Sequence, residues 1–194
     1  GGAAVGRTRG RGRRRGGADA QALPAPRMTG KGRVAGGVGW PVGHSRSPLL
    51  HNYGLRRYGV DGAYGPLPGH PEGFEAAVRG LQAAGFRGAN VTIPHKEAAF
   101  RLADVLDDSA RATGSVNTLV FQDDGTIRGL STDGDGFVAS LRAAGVELPD
   151  ASGAPDTQRV LLLGAGGAAR SVAVSLAAAG MQVCITNLTR DRTS

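Results

Sequence analysis

The sequence predicts an α/β fold in which strands and helices alternate around a mostly parallel sheet, followed by the start of a second α/β domain. Three observations carry this. Short apolar or Gly-containing runs at 33–39, 62–67, 88–93, 116–121, 126–130 and 159–163 alternate with stretches of helical periodicity. Turn residues such as Gly85, Asp124-Gly125 and Gly180 separate them. With 194 residues, 40 % of them hydrophobic, the chain is long enough for one core and part of another.

The elements follow in order. Strands are predicted at 33–39, at 62–67 (weakened by Gly65 and Pro66) and at 88–93. A helix is predicted over 47–58, with Ser47 as N-cap and Pro48 at its first position. Gly54 lies inside it, where glycine costs about 1 kcal/mol relative to alanine. Phe74, Val78 and Leu81 give 71–84 helical spacing, closed by Gly85. A third helix is expected over 96–106. The runs 116–121 and 126–130 read as a hairpin around Asp124-Gly125. A helix over 133–144 ends the first unit. The polar stretch 147–158, rich in Pro, Gly and Asp, marks the domain boundary. The expected division is therefore a tail at 1–32, a first domain at 33–146 and a partial second domain at 147–194.

Charge is distributed unevenly. The chain carries a formal net charge of +7, but residues 1–33 hold a net +8 and residues 34–194 a net −1. The basicity belongs to a Gly/Arg-rich tail with no apolar periodicity, expected to be disordered. Its Arg-Gly run could bind RNA through phosphates, but it lacks aromatic residues to stack bases. The favoured reading is that translation starts at Met28 and the tail is an upstream extension. One cysteine, Cys184, excludes an internal disulfide framework and fits a reducing compartment. No run of eighteen apolar residues suggests a membrane span. His44, His51 and His95 lie near the motifs described below. They are read as structural or loop-positioning groups, without the acid or cysteine cluster of a metal site.

Beyond the boundary, a continuous apolar strand from Arg159 leads into Gly164-Ala-Gly-Gly-Ala-Ala, a helix from Ala168 and a strand from Gln182. This is a βαβ unit opening with G-x-G-x-x-A, the pattern of a Rossmann dinucleotide site. The first glycine permits the tight turn, the second admits a pyrophosphate to the backbone, and the helix N-terminus faces its charge. At the tip of the second strand, Asn187-Leu-Thr-Arg-Asp-Arg opens with no acid, and arginines follow. That favours NADP over NAD; the alternative is that Arg190 and Arg192 are solvated charges opening a helix.

Five motifs then occur in a fixed order. They are Gly39-Trp-Pro-Val-Gly-His-Ser-Arg-Ser-Pro-Leu-Leu-His-Asn, Asn90-Val-Thr-Ile-Pro-His-Lys, Gly114-Ser-Val-Asn-Thr, Ser131-Thr-Asp-Gly-Asp-Gly-Phe and the Gly164 loop with Asn187-Leu-Thr. Together they closely resemble the shikimate dehydrogenase family, from Arg33 to the last residue. The resemblance implies a reversible NADP-linked reduction of 3-dehydroshikimate to shikimate. It implies a cytoplasmic enzyme, with a homodimer as one expected state. It implies that Lys96 and Asp133 are the catalytic pair. Ser45 and Ser47 would grip the substrate carboxylate, and Thr92, Asn117 and Asp133, with Lys96, the ring hydroxyls. Gly164, Gly166, Gly167, Ala168, Asn187, Thr189 and Arg192 would hold the cofactor. An NAD-dependent quinate/shikimate dehydrogenase and a non-catalytic substrate-binding chain are the alternatives. Two departures stand out. Ser131 replaces the asparagine that usually opens Asn-Thr-Asp, which predicts a looser loop around Asp133. Leu188 replaces an arginine of the NADP-specific members, which leaves Arg190 or Arg192 to meet a 2′-phosphate. The resemblance also implies a chain truncated at its C-terminal side.

Overall fold

The computed structural model describes residues 28–149 and 158–187. The chain enters the sheet along β1 (Arg33–Gly39), which pairs parallel with β2 (Gly62–Pro68) on one side and β3 (Gly88–Val91) on the other. Between β1 and β2 runs α1 (Ser47–Arg57), and between β2 and β3 runs α2 (Phe74–Ala83). The hairpin β5 (Thr118–Phe121) and β6 (Ile127–Leu130) adds to β3 antiparallel. Gly125, at φ +85°, makes its turn, as the Asp124-Gly125 pair predicts. The short β4 (Val105–Leu106) pairs parallel with β6, completing a six-stranded sheet in the order β2-β1-β3-β5-β6-β4. Parallel pairing dominates, with the hairpin as the antiparallel insertion.

Several elements differ from their sequence-based bounds. Ser47 is the first helical residue rather than the N-cap; Arg46 is the cap, and Ser45 Oγ accepts from the Ser47 amide at 3.2 Å. The segment predicted as one helix over 71–84 begins with a 3₁₀ turn at Pro71–Gly73 before α2. The helix expected over 96–106 stops early, as α3 (Lys96–Leu102). Ala103 turns extended, and Asp104 bonds the Ile127 amide with its carboxylate while its own amide donates to the Ile127 carbonyl. Sheet pairing beyond the reach of local periodicity wins there. The sequence reading has no counterpart for α4 (Asp108–Thr113). Asp107 Oδ1 caps it by accepting from the Ala110 amide at 2.7 Å, and Gly114, at φ +59°, ends it in the left-handed conformation. Val116 and Asn117, predicted as strand, precede β5; Val116 is fully buried, its amide bound to the Lys96 carbonyl.

The core lies under the sheet centre. Val38, Val91, Leu119, Phe121 and Ile127 from the strands meet Phe74, Val78, Ala99 and Leu102 from the helices. Each such large side chain contributes about 1.5–3 kcal/mol on burial. His95 joins them: its ring stacks on Phe74 with centroids 4.6 Å apart, and Nε2 donates to the Gly69 carbonyl at 2.8 Å. Its position is structural, as the sequence reading expects.

After α5 (Asp133–Ala143), the second unit comprises β7 (Arg159–Leu163), α6 (Gly167–Ala178) and β8 (Gln182–Thr186), with β7 and β8 parallel. The helix predicted from Ala168 begins one residue earlier, with Gly166 as N-cap. Helices α5 and α6 touch closely. A Cβ on Gly134 would overlap both the Ser171 carbonyl oxygen and Ser175 Oγ. Arg170 reaches Glu97 on α3 at 2.6 Å. Among the described residues, no helix is long and apolar enough to cross a membrane. The Gly/Arg tail, the centre of the boundary loop and residues 188–194 lie outside the described residues.

Candidate active site

Three chain segments meet where the C-terminal ends of β1 and β3 point towards the start of α5. Thr92 follows β3, and its amide donates to the Val38 carbonyl at 2.9 Å, tying the two strand ends together. Space for this is made by Gly39, where a Cβ would overlap Thr92 Cγ2. Lys96 is the first residue of α3 and Asp133 the first of α5, so two helix N-termini converge. A carboxylate is favourably placed at such a terminus and an ammonium is not, so Asp133 compensates Lys96 as well as pairing with it.

Lys96 Nζ donates to Asp133 Oδ2 at 2.5 Å, with both side chains largely shielded from solvent. Asn117 Nδ2 donates to the other carboxylate oxygen at 2.7 Å and to Thr132 Oγ1 at 3.0 Å. Both amide hydrogens of Asn117 are thereby committed to the Asp133 loop. Its Oδ1 accepts from the Thr132 amide and from Thr118 Oγ1.

These groups line a cleft of about 550 Å³. Ser45, Ser47, Thr92, Lys96, Asn117 and Asp133, the six residues singled out for substrate in the sequence, all face it. Sequence reasoning left out Asn90, Thr132 and Tyr64, which line it too. Asn90 and Thr132 sit inside the quoted motifs, so the signal was present; Tyr64 lies in a strand weakened by its neighbours Gly65 and Pro66. His44 and His51, read as structural, also border the cleft.

The loop around Asp133 is not loose. The Ser131 amide donates to Ser109 Oγ at 3.1 Å, and its hydroxyl meets Ser171 Oγ at 2.8 Å with both side chains buried. Serine in place of asparagine is thus fastened to α6, which corrects the expectation of a slack loop.

The glycine turn of the second unit lies beside the cleft. Gly164 adopts φ +113°, the left-handed region that favours glycine, and its amide donates to the Thr186 carbonyl at 2.7 Å. Nothing approaches within 4 Å of where a Cβ on Gly164 or Gly166 would stand. The open space and the start of α6 suit a dinucleotide's diphosphate. A Cβ on Gly167, by contrast, would lie 2.5 Å from Ser115 Oγ and 3.5 Å from Lys96 Cβ, so the helix start abuts the base of the lysine. Ala168 follows in the first turn of α6 and Asn187 directly follows β8, whereas Thr189 and Arg192 lie outside the described residues. Among the described residues, no cluster of three or more His, Cys, Asp or Glu could hold a metal ion.

Residues 38–119 match the family model described as the shikimate dehydrogenase substrate binding domain. A shikimate dehydrogenase (NADP(+)) from Acidiphilium cryptum (strain JF-5) is 52 % identical over 165 residues, covering 85 % of this chain and 57 % of the relative. Shikimate dehydrogenase from Aquifex aeolicus superposes with TM-score 0.77 at 34 % identity, over 85 % of this chain and 59 % of that one. Shikimate 5-dehydrogenase from Thermus thermophilus, solved with NADP(H) and shikimate, gives TM-score 0.73 at 36 % identity, over 82 % of this chain and 57 % of that one. The chain spans a little over half the length of the curated relatives it matches. With the ordered motifs, the paired Lys96 and Asp133 and the glycine turn abutting them, the chain is similar to the shikimate dehydrogenases over a little more than half of their length.

Proposed function

We propose that this chain binds shikimate and 3-dehydroshikimate and serves their NADP-dependent interconversion. Residues 33–146 act as the substrate domain, and residues 147–194 begin the cofactor domain. The observation that carries the reading is the Lys96–Asp133 pair, at 2.5 Å, in a cleft lined by hydroxyls and amides of the type a polyhydroxylated ring acid requires. A cytoplasmic location and a homodimer belong to the same proposal.

In this reading the hydroxyls of Ser45 and Ser47 hold the substrate carboxylate. Thr92 and the pair itself meet the ring oxygens. Asn90 keeps one amide hydrogen uncommitted after bonding Thr118, so it is better supplied to contact the ring than Asn117, which acts by holding Asp133. When bound, NADPH supplies the hydride to the carbonyl carbon. As that carbon is reduced, Lys96 Nζ gives its proton to the carbonyl oxygen, and Asp133 orients the ammonium and balances its charge. In the reverse direction the pair takes the hydroxyl proton. Gly164, Gly166, Gly167 and Ala168 would cradle the diphosphate, with Asn187, Thr189 and Arg192 towards the adenosine end.

The test is a shikimate titration of the 194-residue chain, followed by the fluorescence of Trp40, which adjoins the cleft residue Pro41. Saturable quenching, weakened tenfold or more in Lys96→Ala and Asp133→Ala, is expected. A folded chain by circular dichroism that gives no saturable response overturns the substrate assignment. Addition of NADP to the shikimate complex, read as absorbance at the reduced-nicotinamide band, then tests turnover.

A further inference from the structure

Five side chains form one hydrogen-bonded line through the wall of the cleft. The Tyr64 hydroxyl donates to Asn90 Oδ1 at 3.0 Å, and Asn90 Nδ2 to Thr118 Oγ1 at 3.1 Å. Thr118 donates to Asn117 Oδ1 at 3.0 Å, and Asn117 Nδ2 to Asp133 Oδ1 at 2.7 Å. Every donor points the same way, and the line ends on the carboxylate that holds Lys96.

The order is enforced by donor counting. A carboxylate accepts, so Asn117 must turn its nitrogen to Asp133 and its oxygen to Thr118. The hydroxyl of Thr118 has a single proton; once that is given to Asn117, Thr118 can only accept from Asn90. Asn90 is then left with its oxygen facing Tyr64, whose phenol supplies the donor. Without that phenol a second arrangement competes. The Asn90 amide flips, Thr118 swings its proton to Asn90 Oδ1, and Asn117 loses a donor beside Asp133.

Tyr64 is itself held on several sides. Asn52 on α1 bonds its backbone twice, donating to the carbonyl at 2.8 Å and accepting from the amide at 3.0 Å. The His51 ring stacks on it with centroids 4.2 Å apart and planes 24° apart. Gly37 on β1 leaves room for the phenol: a Cβ there would lie 2.9 Å from the hydroxyl oxygen. Behind the ring is a second cavity of about 350 Å³, lined by Leu55, Val60 and Ala63, so packing from that side does not fix the ring.

We propose that Tyr64 is a positioning residue: its hydroxyl selects one amide orientation at Asn90 and, through Thr118 and Asn117, one hydrogen-bonding pattern at Asp133. The cleft then offers a single set of donors and acceptors to ring hydroxyls. This deepens the reading above, and its ligand arm rests on that reading.

The experiment compares the full chain with Tyr64→Phe, which keeps the stacked ring, and Gly37→Ala, which keeps the hydroxyl but displaces it. The first readout needs no ligand: exchange of the side-chain amide hydrogens of Asn90 and Asn117 by NMR. Exchange about tenfold faster at both residues in both variants is expected. Unchanged exchange at Asn117 overturns the proposal. The second readout is affinity for shikimate against cyclohex-1-ene-1-carboxylate, which keeps the carboxylate but has no hydroxyls. Tyr64→Phe is expected to weaken shikimate about tenfold and the analogue less than twofold. Equal losses for the two ligands indicate a merely structural role and overturn the proposal. If the unaltered chain binds neither ligand, the substrate reading fails, and the exchange data alone decide the role of Tyr64.

Discussion

Ser131 and Ser171, forty residues apart, bring their hydroxyl oxygens to 2.8 Å in a buried contact between the Asp133 loop and α6. Ser171 Oγ also donates to the Gly167 carbonyl at 3.0 Å. With its one proton committed there, Ser171 accepts and Ser131 donates. The contact ties the loop carrying the carboxylate to the helix that opens with the glycine turn, so both halves of the site share one register.

That direction ranks two truncations. Ser171→Ala leaves the Ser131 proton without its buried acceptor, a loss of about 1–3 kcal/mol. Ser131→Ala leaves Ser171 still bonded to Gly167 and costs about 1 kcal/mol. Urea midpoints of the two variants and the double variant give the order and the coupling. A larger loss for Ser131→Ala would reverse the assigned donor.

Two glycines of α5, two residues apart, predict opposite signs. A Cβ on Gly134 strikes the α6 backbone, so Gly134→Ala must separate α5 from α6 and destabilises by about 1–3 kcal/mol. A Cβ on Gly136 meets nothing within 4 Å. Gly136→Ala therefore stabilises by up to about 1 kcal/mol through helix propensity. Thermal or urea denaturation checks both.

The pairing around Asp133 separates charge from hydrogen bonding. Asp133→Asn keeps a side-chain oxygen for Asn117 but removes the charge opposite Lys96, whereas Asp133→Ala removes both. Shikimate affinity is expected to fall about tenfold in the first and further in the second. Equal affinities would show that the Asn117 bond contributes nothing to the site.

At alkaline pH, burial holds the Tyr64 hydroxyl above the ordinary tyrosine value of 10.0. The folded chain therefore keeps this proton to higher pH than the unfolded chain. The contribution to stability is full below about pH 10 and is lost as pH rises through the folded value. Tyr64→Phe is expected to flatten that alkaline decline in the urea midpoint.

At the acid side the sign reverses. Hydrogen bonds from Thr29 and Thr126 hold Asp61 and Asp124 below the ordinary 3.8. Their contributions are present above that value and disappear as pH falls through the folded ones. Thr126→Val is expected to raise the titration midpoint of Asp124 towards 3.8 and leave Asp61 unmoved, as read by carboxyl carbon NMR.

Local pattern was enough wherever an element is fixed by its own residues. The run Arg33–Gly39 forms β1 with those bounds, Asp124-Gly125 makes the hairpin turn, and the strand, glycine turn and helix of the second unit follow their periodicity. It failed where a distant partner decides. Val105 and Leu106 look like the end of a helix, yet the edge of β6 draws them into the sheet. Helix α4 is only six residues long, below the length at which periodicity is legible, and is held by the Asp107 cap and Gly114.

The site divides on the same line. By itself the sequence singled out Ser45, Ser47, Thr92, Lys96, Asn117 and Asp133, because they stand in short ordered motifs, and all six face one cleft. Tertiary structure alone decided which partner each of their protons meets. Asn117 gives both amide hydrogens to the Asp133 loop, Ser131 finds its partner on α6, and Tyr64 heads a line of donors built from three strands and a helix start. The physical reason is that a hydroxyl has one proton and an amide two. Which neighbour receives each is settled only when residues distant in the chain come within about 3 Å of one another.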